Sequence, residues 1–66
     1  MMQNYFVRCV AHIRGVGEPD YDRYFSEVLL AYDETDAEWE MLDKVEEQLG
    51  DKAFNAICSL EVQRVA

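Results

Sequence analysis

The chain has 66 residues, half of them apolar and 12% aromatic, with 14 Asp and Glu against 6 Lys and Arg and a formal charge of −8. That aromatic and apolar content belongs to a folding chain and excludes a disordered one, while the size allows a single domain over residues 1–66 with a marginal core. The acidity argues against direct contact with nucleic-acid phosphates or anionic membranes and favours a basic protein surface as partner.

Residues 4–14, NYFVRCVAHIR, alternate, with Tyr5, Val7, Cys9, Ala11 and Ile13 on one face and Phe6, Arg8, Val10, His12 and Arg14 on the other. This predicts a β-strand. GVGEPD then reads as a turn. Residues 21–33, YDRYFSEVLLAYD, fit two templates. As a strand they pair with residues 4–14 through a five- or six-residue hairpin loop; as a helix they place Tyr21, Tyr24, Phe25, Val28, Leu29 and Tyr32 on one arc. Residues 35–50 predict a helix, with Thr35 and Glu38 as a capping box and Gly50 as the stop. Its apolar arc is expected to hold Met41, Leu42, Val45 and Leu49, with Trp39 as a core anchor at the edge. Residues 53–65 alternate again, with Phe54, Ala56, Cys58, Leu60 and Val62 on one side.

Three strands of matching length, about 11 residues, favour the strand reading, which gives an α+β fold of order ββαβ, a three-stranded antiparallel sheet covered on one face by one helix. The helical reading gives βααβ. In the first arrangement Phe25, Leu29 and Ala31 join the odd-numbered residues of the first strand beneath the helix. The opposite face then carries Phe6, Val10, Tyr24, Val28, Leu30 and Ile57, more apolar surface than a small monomer leaves in water. A homodimer or partner face is expected there; the alternative is that side chains such as Arg8, His12 and Arg14 partly cover it.

The acids are concentrated in DETDAEWEMLDKVEEQLGD, residues 33–51, with nine carboxylates against Lys44 alone. Asp36, Glu40, Asp43 and Glu47 follow the spacing i, i+4, i+7, i+11 and are expected to form one stripe beside the apolar arc of the helix. Consecutive carboxylates stand about 5 to 6 Å apart at 1.5 Å of rise per residue, close to the spacing of phosphates along a nucleic-acid strand. Asp33, Glu34 and Asp51 extend the stripe at its ends. Such a row suits a basic surface of the kind that reads phosphates, with an attraction that weakens in salt.

Catalytic and metal motifs find little support. Cys9 and His12 make a C-x-x-H, but positions three apart on a strand face opposite ways, so no shared zinc ion is expected. His12 is the only histidine, and Ser26 and Ser59 lack an elbow motif. RGVGEP lacks the lysine of a phosphate loop, and DETDAEWEMLDK matches a calcium loop only at its first position. The expectation is a protein without enzymatic activity, cofactor or metal. No basic segment followed by an apolar run opens the chain, and no run approaches the roughly 18 apolar residues that span a bilayer. Two cysteines far apart in sequence suit free thiols, which predicts a cytoplasmic location.

In its acids at residues 33–51 and its compact ββαβ pattern, the chain resembles the small acidic proteins that phages encode against bacterial defence, anti-CRISPR proteins among them. The resemblance is one of class, without a diagnostic motif. It implies stoichiometric inhibition in the host cytoplasm, by occupying the nucleic-acid-binding surface of a defence complex.

Overall fold

The computed structural model describes residues 1–65. Strand β1 (Gln3–Ile13) and strand β2 (Tyr21–Ala31) form a hairpin, helix α1 (Glu34–Leu49) follows, and a 3₁₀ segment (Gly50–Asn55) leads into strand β3 (Ala56–Arg64). Both β2 and β3 pair antiparallel to β1, giving the sheet order β2-β1-β3 with β1 in the centre. The fold is therefore α+β in the order ββαβ.

Residues 21–31 are a strand because a complete ladder is open to them. All eleven residues of β1 find a partner in β2, from Gln3 opposite Ala31 to Ile13 opposite Tyr21. The connection runs over seven residues, 14–20, slightly longer than the expected loop. Two glycines make it feasible. Gly17 takes φ +75, and Gly15 sits where a Cβ would lie 2.1 Å from the Glu18 carbonyl oxygen. The Gly15 amide donates to Asp20 Oδ1 at 2.9 Å, closing the loop.

The core lies between α1 and one sheet face. Tyr5, Val7, Cys9, Ala11 and Ile13 of β1 are buried against Leu29 and Ala31 of β2 and against Ala37, Met41, Val45 and Leu49 of α1. Phe25, Cys58, Leu60 and Val62 pack around this cluster partly buried. The helical contribution has the spacing i, i+4, i+8, i+12, which keeps its residues on one slowly drifting stripe. Two expectations about α1 are corrected here. Trp39 is not a core anchor but is 64% exposed, because it lies about 140° around the helix from the centre of the Ala37–Leu49 stripe. Thr35 and Glu38 do not cap the helix; Asp33 does. Its Oδ1 accepts from the Asp36 amide at 2.8 Å, and the Asp36 carboxylate in turn accepts from the Tyr32 amide at 3.0 Å. Gly50 stops the helix as expected, with φ 60 and its amide donating to the Glu46 carbonyl.

The third strand begins later than its sequence pattern, at Ala56. Residues 53–55 instead finish the 3₁₀ segment, leaving Phe54 exposed rather than aligned with Ala56 and Cys58. The Arg14 amide donates to the Asn55 carbonyl at 2.9 Å and ties this segment to the end of β1.

Candidate functional site

Two surfaces stand out, on opposite sides of the molecule. The first is the solvent face of α1. Glu40, Asp43 and Glu47 are exposed there and have no ion-pair or hydrogen-bond partner among the described residues. They point away from the core, not along its margin. The sole cation of the helix, Lys44, does not neutralise them: its Nζ reaches across to Glu27 Oε1 of β2 at 3.0 Å. Trp39 stands one turn before Asp43 and is exposed beside the row.

The four acids expected to form one stripe and the three expected to extend it thus divide. Asp33 and Asp36 build the helix start, and the half-buried Asp36 spends one oxygen on the Tyr32 amide. Glu34 is exposed in the first turn, where the positive end of the helix dipole favours it. Glu40, Asp43 and Glu47 remain as free charges, with Glu46 and Asp51 exposed further along. The last turn holds no basic residue, so Glu46 and Glu47 sit against the negative end of the dipole. Each such placement costs about 0.3 to 1 kcal/mol when exposed. The charge of this face is therefore not explained by helix stability.

The second surface is the sheet face away from α1. Tyr24, Val28, Leu30 and Ile57 are 52 to 74% exposed on it, and Phe6 and Val10 are half-buried between them. The ladder sets Phe6 opposite Val28 and Val10 opposite Tyr24. A polar row crosses the middle, where Arg8 Nη1 lies 3.8 Å from Glu61 Oε2 and the Arg8 guanidinium stands 5.9 Å from the Phe6 ring centre.

Cys9 and His12 do face opposite ways, Cys9 into the core and His12 outward. Burial pushes the Cys9 thiol up to about 11, with the neighbouring Cys58 adding to the shift, so it stays protonated and unreactive at neutral pH. Both cysteines are free. His12 Nδ1 lies 2.6 Å from Asp22 Oδ1, and Nε2 lies 3.4 Å from Asp20 Oδ2. An open cleft of about 410 Å³ beside it is lined by Arg14, Phe54 and Ile57. No group of three or more metal-ligating side chains is assembled among the described residues. Nor is any helix among them long and apolar enough to cross a membrane.

The hydrogen bond to Asp22 raises the His12 pKa above its ordinary 6.5, with the Asp20 carboxylate adding to the effect. The Gly15 amide, chiefly, lowers that of Asp20 below 3.8. A raised value means that the stabilisation from charged His12 is complete below pH 6.5 and is lost as pH rises through the folded-state midpoint. That of Asp20 runs the other way, present above pH 3.8 and lost as pH falls through its lowered value. An NMR titration should place the His12 midpoint above 6.5, and Asp22→Asn should bring it back down. An unchanged midpoint in that variant would show that Asp22 does not hold the imidazolium.

What the sequence reading missed is the exposure of Trp39. The signal was available in Ala37, whose small side chain is easily passed over as a core residue. Counting it shifts the centre of the apolar arc away from Trp39. Comparison with known family models, curated proteins and solved structures finds no match to this chain.

Proposed function

We propose that this chain is a non-enzymatic acidic binding protein that inhibits a basic, nucleic-acid-binding target by laying the solvent face of α1 on its surface. One observation carries the reading: Glu40, Asp43 and Glu47 form an unneutralised row beside an exposed Trp39, while Lys44 is drawn off to Glu27. Carboxylates spaced at about 5 to 6 Å offer a phosphate-reading groove a charge pattern it can accept. The indole adds what a solvated acidic face lacks, a large flat side chain of the type that anchors interfaces. This is the mode of action implied by the resemblance to phage proteins that disable bacterial defence, and a nucleic-acid-binding defence complex is the proposed class of partner.

The test compares wild type with the Glu40→Lys, Glu47→Lys variant as baits in bacterial lysate, including strains with nucleic-acid-targeting defence systems. Wild type alone should capture a basic nucleic-acid-binding protein, which high salt and an added excess of the target's nucleic acid should both release. Equal capture by the two baits, or capture indifferent to added nucleic acid, would overturn the reading. Both substitutions are at exposed positions, so circular dichroism should report the same fold for both baits.

A further inference from the structure

We infer that the uncovered sheet face is a self-association surface, and that two copies of this chain pack back to back through it with their acidic helices outermost. Association through this face does not depend on what α1 binds.

Area is the first support. A folded monomer of 7.7 kDa exposes about 4,300 Å² by the usual scaling with mass. This chain exposes 4899 Å². Its radius of gyration is 12.9 Å, against about 10.8 Å for a compact domain of the same length. Three strands about 4.8 Å apart, nine to eleven residues long at about 3.4 Å each, present a footprint of roughly 500 Å². The chain is elongated, with extents of 46 × 16 × 14 Å, so its broad sheet face is a large share of a large surface. Two such footprints together remove about 1,000 Å² from water, where specific interfaces begin.

Charge is the second support, and it selects the geometry. The strand positions of this face hold Arg8 against Asp22 and Glu61, so it carries only one of the eight net negative charges. Pairing through α1 would instead bring the acids of both copies together. Back-to-back stacking at about 10 Å per layer keeps the two helices about 30 Å apart, several Debye lengths at physiological salt. An isologous contact also needs a self-complementary patch. The central row supplies both signs, so Arg8 of each copy can face Glu61 of the other, while Phe6, Val28 and Tyr24 supply the apolar contact.

Sedimentation equilibrium of wild type from micromolar to about 500 µM should show reversible association to twice the chain mass. Val28→Glu should weaken it by roughly a hundredfold or more, because each dimer would then bury two unpaired carboxylates. Arg8→Glu should also weaken it, and the swap Arg8→Glu, Glu61→Arg should restore it. The wild-type monomer leaves Val28 half exposed, so Val28→Glu should keep its circular dichroism spectrum. A monomeric wild type throughout the range would overturn the inference. So would a dimer that survives Val28→Glu, because association would then run through another surface, such as the free edge of β2.

Discussion

Gly15→Ala should shift the urea midpoint to the edge of measurable stability. A Cβ at this position would lie 2.1 Å from the Glu18 carbonyl oxygen, 2.7 Å from that of Pro19 and 2.8 Å from the Glu18 carbonyl carbon. All three are backbone atoms, so no side-chain rotation can relieve the clash. The loop would have to open, breaking the bond from the Gly15 amide to Asp20 and withdrawing Asp20 from His12. Overpacking of this kind costs about 1 to 3 kcal/mol, and a core of this size supplies a net stability of only about 3 to 5 kcal/mol. Gly17→Ala is the internal control. It has open space around it and only its positive φ to disturb, at a cost of about 1 to 2 kcal/mol. A Gly15→Ala midpoint no lower than that of Gly17→Ala would refute this account of the hairpin.

Met41→Ala should destabilise by about 2 to 5 kcal/mol and Trp39→Ala by no more than about 0.5 kcal/mol. The first removes a side chain that is 2% exposed from the centre of the helix–sheet contact. The second truncates one that lies on the surface. Indole burial would reverse this order, since Trp→Ala in a core costs about 3 to 5 kcal/mol. Urea midpoints measured at one fixed protein concentration decide the matter, since self-association would stabilise the folded state by mass action. Met41→Leu, which nearly conserves volume, should cost less than about 1.5 kcal/mol and shows whether packing volume is what matters. A Trp39→Ala variant that keeps its stability but loses the captured partner would assign the indole to binding.

Much of this protein was legible in the amino-acid order. Strict alternation in residues 4–14 specifies both faces of β1 without reference to any other element, because side chains on a strand point alternately to either side. Gly50 ends α1 through a local backbone preference. The failure of Cys9 and His12 to share a ligand follows from the same strand geometry. Acids at 33–51 are likewise visible by counting.

Tertiary structure decided the rest. Residues 21–33 carry a clean helical arc, and only their match in length to the other two strands favours a strand; the eleven-residue ladder against β1 is what decides it. Trp39 belongs to the core or to the surface according to the rotation of α1 over the sheet, which the burial of Ala37, Met41, Val45 and Leu49 determines. The division follows from range. Alternation and the glycine stop act over a few residues and can be read from neighbours in sequence, whereas strand choice, helix rotation and the pairing of Lys44 with Glu27 depend on groups brought together only by the packed sheet and helix.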